Sequence, residues 1–372
     1  MKEVAPVDWS LPEVTLEGDT STRVWTRLLE VYEGSGESSL FAVAPDGTFS
    51  CVLPRHSETH SPLASVDDAD VPSFDFESPH AVDHFLLGRR IGEGGMAVVH
   101  EAFLPEDHAK YAVKVCRPTG SKVAAQIFAT ETAVMSALDH DGIVPLVASG
   151  ETLVGLRWLA MPYIPGQSLR RLLNRCRRIE GLDREALLRA ILLPVFLQVC
   201  DALDHAHGLG ILHCDLKPGN IMVEPGGRAR LLDWGMAKPF TIGKSVPGPR
   251  DLRAPGVRPV GGTPGYMAPE AIRGRVDRIG PWTDVWSLGA ILYEVISGCR
   301  AFEREGADTV EFFRKVLSHE PTRPDIRVNL PPSVIDLALL SRRALSAAPA
   351  ARPRSVAEMR EELLTIADRL GC

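Results

Sequence analysis

Apolar positions recur along this chain in two rhythms. From Phe85 onward the rhythm is that of short strands: Phe85-Leu86-Leu87, then Val98-Val99-His100-Glu101-Ala102, then Tyr111-Ala112-Val113-Lys114-Val115. A glycine-rich turn, Ile91-Gly92-Glu93-Gly94-Gly95-Met96, separates the first two. From Ser121 to Leu138 the spacing of Val123, Ile127, Val134 and Leu138 predicts a helix that also carries Glu131. The longest apolar stretch, Ala186 to Leu203, is interrupted by Arg189, Pro194, Gln198 and Asp201, which predicts a buried helix and no membrane span. Upstream, Phe41 to Val52 alternates about Pro45-Asp46-Gly47, a hairpin pattern, and Thr22 to Tyr32 reads as a short amphipathic helix. Ser, Pro and Asp dominate from Arg55 to Pro79, which reads as a flexible acidic linker.

Charge sharpens this division. Residues 1–80 hold 15 acidic and 4 basic side chains, whereas the remainder holds 33 acidic and 37 basic. The acid therefore sits outside the part with the strand and helix patterns. This organisation gives residues 1–56 as a small N-terminal module or a disordered tail, and 57–82 as the linker. An acidic segment of this kind is suited to restrain a slightly basic neighbour. Seven scattered cysteines with no C-x-x-C pair predict a reducing, cytoplasmic setting without disulfides or zinc, and the eleven histidines show no metal-ligand spacing. The basic run Arg170-Arg171, Arg175, Arg177-Arg178 has no interleaved aromatics, so it reads as a solvated helix face and not as a nucleic-acid surface.

The chemistry concentrates in His213-Cys214-Asp215-Leu216-Lys217-Pro218-Gly219-Asn220 and in Asp233-Trp234-Gly235, which starts thirteen residues after Asn220. Two carboxylates, an amide and an amine at this spacing suit phosphoryl transfer. That reaction needs a base for the incoming hydroxyl, oxygen ligands for a divalent cation, and a cation near the developing charge. Asp215 fits the first role, Asn220 with Asp233 the second, and Lys217 the third. The glycine turn lets backbone N–H groups approach phosphate oxygens, although taken alone a plain hairpin or a dinucleotide-binding turn fits it as well. A strand follows it where a dinucleotide fold would place a helix. Lys114 stands in an apolar run, where an unpaired ammonium is costly.

Taken together, these segments resemble the serine/threonine protein kinases of the eukaryotic type, including their bacterial members. The stretch at 213–220 resembles the family's H-R-D-L-x-x-x-N, and 233–235 its D-F-G, with Cys214 replacing Arg and Trp234 replacing Phe. Leu138-Asp139-His140-Asp141-Gly142-Ile143-Val144 resembles the close of the family's first helix, with His140 nine residues beyond Glu131. Trp158 to Gly166 looks like the strand and hinge between two lobes. Gly262-Thr263-Pro264-Gly265-Tyr266-Met267-Ala268-Pro269-Glu270 resembles the segment ending in A-P-E, Asp284 to Gly289 the buried helix after it, and Arg352 the arginine that pairs with Glu270.

The resemblance implies a two-lobed α+β fold over 83–370, with a small antiparallel sheet and one helix in 83–165 and a helical lobe in 166–370. It implies ATP and Mg²⁺ as cofactors and proteins bearing Ser or Thr as substrates. The nucleotide-binding set it carries over is Ile91, Gly92, Glu93, Gly94, Gly95, Val99, Ala112, Lys114 and Glu131, with Met161 as gatekeeper and Pro162 and Ile164 in the hinge. The catalytic set is Asp215, Lys217 and Asn220, and the metal ligands are Asn220 and Asp233. Pro162 keeps its carbonyl and Ile164 its N–H, so the hinge stays competent for adenine. Thr263 with Lys217 favours Ser/Thr over Tyr acceptors. Cys214 removes a guanidinium that in many members meets a loop phosphate, so activity independent of that contact is expected. The Pro- and Gly-rich stretch between Asp233 and Glu270 reads as a mobile loop with Thr241 and Ser245 as candidate phosphosites. A nucleotide-binding pseudokinase scaffold is the rival reading. It is disfavoured because the lysine and both aspartates are present, and a small-molecule kinase is disfavoured by the segment at 262–270.

Overall fold

The computed structural model describes residues 42–43, 49–50, 81–240 and 262–371, apart from 95, 107–108, 118–121, 153–154, 180–183, 276–277, 305, 307, 319–320, 322–323 and 325–333. Gly95, the helix expected at 22–32, the linker at 55–79 and the stretch 241–261 with Thr241 and Ser245 lie outside the described residues. Strands β1 (Ala42–Val43) and β2 (Phe49–Ser50) pair antiparallel across the Pro-Asp-Gly segment, as the alternation there implies.

A six-stranded antiparallel sheet forms the first lobe. Its members are β3 (Ala81–Val82), β4 (Phe85–Glu93), β5 (Ala97–Phe103), β6 (Lys110–Cys116), β7 (Ala148–Glu151) and β8 (Arg157–Pro162), in the order β3-β4-β5-β6-β8-β7. The edge strand β3 falls at the end of the segment read as linker. One face of the sheet closes over Val82, Phe85, Ala102, Val113, Trp158 and Ala160, with the Phe85 and Trp158 rings edge-on at 5.7 Å. On the other face Leu159 packs with Phe128 and Met135 of α1 (Lys122–Ala137).

The buried stripe of α1 is Ala124, Phe128, Glu131, Met135, followed by Leu138. Its spacing of four and three is helical, but it is rotated from the stripe the sequence suggested. Ile127 and Val134 are only partly buried, and Phe128 and Met135 carry the packing. The rotation puts Glu131 in the middle of the apolar face, where a carboxylate requires a partner.

The second lobe is built around α5 (Pro281–Ser297), which is buried from Thr283 to Ser297 on all sides. The short strands β9 (Gln167–Ser168), β10 (Ile211–Leu212), β11 (Ile221–Val223), β12 (Ala229–Leu231) and β13 (Lys238–Pro239) frame the loops at the domain cleft. Among the described residues the other α-helices are α2 (Leu169–Cys176), α3 (Arg184–Gly208), α4 (Pro269–Ile272), α6 (Thr309–Ser318), α7 (Ile335–Ala344) and α8 (Val356–Leu370). Gly289 lets α7 cross α5 closely, because a Cβ there would lie 2.6 Å from the Ala344 methyl.

Helix α3 runs from Arg184–Leu187 through a wide turn, Leu188–Leu192, into Leu193–Gly208. In the wide turn Leu193 N–H bonds to the Leu188 carbonyl five residues back. Pro194 supplies the reason: its ring would strike the Ala190 carbonyl in a regular helix, and it has no N–H to offer. The helix is long and apolar enough to cross a membrane, but Leu193, Val195, Phe196, Leu203 and Ala206 are at most 1 % exposed within the lobe's own core. That agrees with the buried helix expected from its interruptions.

Candidate active site

Between the lobes lies a cleft of about 1200 Å³. Every described catalytic, nucleotide-binding and metal-binding residue named from sequence lines it. Strand β6 supplies Lys114 and Ala112, α1 supplies Glu131, and the end of β8 supplies Met161 and Pro162, with Ala112 paired to Met161 across the ladder. Tyr163 N–H bonds to the Lys110 carbonyl at 3.0 Å. Because strand N–H groups alternate in direction, that leaves the Ile164 N–H on the opposite edge of the hinge. The glycine turn is tight: Gly94 N–H bonds to the Ala97 carbonyl at 2.9 Å, and Arg117 pairs with Glu93.

Lys114 Nζ lies 2.7 Å from both carboxylate oxygens of Glu131 and 3.1 Å from Asp233 Oδ1. Burial opposes the ammonium's charge, but Glu131 and Asp233 outweigh it and hold its pKa above the ordinary lysine value. Burial likewise opposes ionisation of Asp233; Lys114, then Lys217 and His213, overcome it and leave that carboxyl below the usual range. Gly235 makes the approach of α1 feasible, since a Cβ would meet Ile127 Cγ2 at 2.7 Å.

On the opposite wall Asp215 is held by two donors. Lys217 Nζ donates to Oδ2 at 2.7 Å, and the Thr263 hydroxyl donates to Oδ1 at 2.8 Å while accepting from Lys217 at 2.9 Å. Asn220 Nδ2 donates to the Asp215 carbonyl at 2.9 Å. Its Oδ1 and Asp233 Oδ2 have no hydrogen-bond partner among the described residues. Two hard oxygen atoms are thus presented to the cleft.

The loop between these groups is strained and supported from below. Cys214 and Asp233 have φ of 61° and 62°. Asp284, fully buried at the start of α5, accepts from His213 N–H at 2.8 Å, Cys214 N–H at 2.9 Å and His207 Nε2 at 2.8 Å. Burial opposes its charge, and His207 first, with His213 and the Cys214 N–H, brings its carboxyl below the ordinary value. His213 Nε2 lies 3.2 Å from the Leu232 carbonyl, and its ring lies 4.6 Å from the fully buried Trp234 ring, so the two strained segments share one support. Burial pushes the Cys214 thiol well above its usual value, which makes it a poor nucleophile.

Glu270, the last residue of the 262–270 segment, is gripped by Arg352 through two bonds of 2.8 and 3.0 Å, with Thr283 adding a third at 2.9 Å. The protein kinase domain model matches residues 85–359. The chain belongs to the protein kinase family. This kinase is similar to the serine/threonine-protein kinase pkn3 of Myxococcus xanthus, at 34% identity over 74% of this chain and 48% of that protein. It is also similar to PknK of Mycobacterium bovis, at 33% over 76% of this chain and 23% of that protein, and to PknD of Chlamydia caviae, at 29% over 74% and 30%. The chain spans about half or less of the length of these curated relatives. The lysine and both aspartates whose loss marks a pseudokinase are present and assembled, so the scaffold alternative has no support in the site.

Two functional relationships were not read from sequence. Asp284 was seen only as part of a buried helix, and its grip on the catalytic loop is a contact across 70 residues of chain. The basic run was read as a solvated face, which holds for the exposed Arg171, Arg177 and Arg178 but is incomplete: Arg170 and Arg177 both bond to Glu294 of α5, and Arg175 bonds to Gln167 at 2.9 Å. A local charge pattern carries no sign of a carboxylate 117 residues away.

Proposed function

We propose that this kinase transfers the γ-phosphoryl group of ATP to Ser and Thr hydroxyls of proteins, itself included, with Mg²⁺ as the metal. The observation that carries this reading is the simultaneous closure of Lys114 on Glu131 and on Asp233, facing Asp215 across one cleft. Lys114 orients the α- and β-phosphates under glycines 92, 94 and 95. Adenine reads the Pro162 carbonyl and the Ile164 N–H. Asp215 accepts the hydroxyl proton, its lone pairs aimed by Lys217 and Thr263, and Lys217 then steadies the moving phosphoryl group.

Asn220 Oδ1 and Asp233 Oδ2 suit a hard cation that keeps phosphate and water ligands, as Mg²⁺ does. Among the described residues no group of three or more His, Cys, Asp or Glu forms a metal cage, which fits a metal carried in with the nucleotide. The scattered spacing of the seven cysteines is what supports a reducing, cytoplasmic setting. The β1–β2 pairing favours residues 1–56 as a small module, and the linker read at 57–82 would end at the sheet strand β3.

The test is labelled ATP with a mixed Ser, Thr and Tyr protein acceptor, with and without Mg²⁺, followed by phosphoamino-acid analysis. Phosphoserine and phosphothreonine that appear only with a divalent cation support the reading. Phosphotyrosine, or transfer without a cation, contradicts it.

A further inference from the structure

Beneath the segment that follows Thr263 lies a charge cluster that phosphoryl transfer itself does not use. Glu294, with no exposed surface, accepts from Arg170, from Arg177 at 2.6 Å and from the Tyr266 hydroxyl at 2.6 Å. Arg170 also donates to the Tyr266 hydroxyl, and its guanidinium lies 5.7 Å from that ring. Arg177's remaining donors go to the Gly298 carbonyl and to Asn174 Oδ1, which carry no charge. Two guanidinium groups thus share one carboxylate, which leaves one positive charge uncompensated within the cluster.

Tyr266 is one turn from Thr263, its N–H bonded to the Thr263 carbonyl at 3.1 Å, and Thr263 holds the catalytic Asp215. The excess charge therefore lies beside the route by which an acceptor peptide reaches Asp215. The arginines keep 22 % and 33 % of their side chains exposed, so it is felt at the surface. Two other carboxylates near this wall already have cationic partners, Glu270 in Arg352 and Asp215 in Lys217. Gly219 and Gly265 add no side chain to it.

We infer that the acceptor side of the cleft selects peptides with acidic residues flanking the Ser or Thr, with Arg170 and Arg177 as the specificity-determining pair and Glu294 as the residue that sets their net charge. This deepens the proposed kinase function and rests on it. Each partly exposed charge pair is worth a small factor, so about threefold per flanking charge is expected.

The test uses the full chain and three short peptides that share one central serine and are flanked on both sides by Asp, Asn or Lys. The Asp peptide should exceed the Asn peptide in kcat/KM by about tenfold and the Lys peptide by more, with both gaps closing in high salt. Arg177→Gln should lower the Asp-to-Asn ratio, and Glu294→Gln should raise it. Opposite shifts are not produced by a merely structural role, and the ratio is independent of how much of a variant folds. Equal use of the three peptides, a preference for Lys, or same-direction shifts in the two variants would overturn the inference. Fluorescence anisotropy of the same peptides separates the two readings. Tighter, salt-sensitive binding of the Asp peptide without turnover would sustain the charge preference and sink the kinase reading; equal binding would sink the preference.

Discussion

The Lys114 ammonium sits within 2.7 Å of both Glu131 carboxylate oxygens, a contact that bridges a strand of the sheet and the helix packed against it. Because Glu131 is 1 % exposed, the pair is one device: neither charge is stable there without the other. Glu131→Gln and Lys114→Met should each lower kcat/KM for ATP by about a hundredfold, the scale seen when a preorganised electrostatic contact is lost. The double substitution should cost little more than either single one. A double-mutant cycle on steady-state rates reads this directly, and additive losses would show the two residues acting separately.

Asp284 is the support on which the strained Cys214 backbone rests. Replacing it by Ala leaves two buried backbone N–H groups and His207 without an acceptor, so a stability loss of about 3 kcal/mol is expected by urea unfolding. The rate should fall as well, since these contacts help hold Cys214 at a φ of 61°.

Acid sensitivity follows from the same carboxylate. Asp284 is held below its ordinary pKa, so its contribution is fully present above the unfolded-state value of about 4 and is lost as pH falls through the lower folded-state value. Asp233 behaves alike through Lys114. Unfolding free energy should therefore drop steeply below about pH 4, and Asp284→Asn should flatten that limb. A variant with an unchanged acid limb would remove Asp284 from the account.

The Glu270–Arg352 pair should matter for the integrity of the 262–270 segment. Arg352→Ala buries an unpaired carboxylate and should cost about 3–5 kcal/mol, whereas a paired Glu270→Gln, Arg352→Leu substitution should cost less. Chemical denaturation of the three proteins distinguishes a coupled pair from two independent contacts.

The chemistry was legible in the sequence because phosphoryl transfer fixes side-chain types at short spacing. Asp215, Lys217 and Asn220 share one loop, and Glu131 could be located by its distance from His140. The strand rhythm around Lys114 likewise gave the sheet. What stayed hidden were contacts between distant segments: the face of α1 that Phe128 and Met135 bury, the wide turn that Pro194 imposes, Asp284 under Cys214, and Glu294 under Arg170 and Arg177. Each depends on packing that no local pattern encodes.

Cys214 in place of arginine carries a regulatory consequence. Wild-type rate should be unchanged by phosphatase treatment, while Cys214→Arg should gain a dependence on phosphorylation. A large phosphatase effect on the native enzyme would show that another cation meets a loop phosphate.

The most direct measurement is transfer of labelled phosphate from ATP by wild-type protein and by Asp215→Asn, with nucleotide affinity measured in parallel. Loss of transfer by a factor of about a hundred or more with affinity retained is the result expected if Asp215 is the catalytic base. Equal transfer by the two proteins would contradict the central assignment.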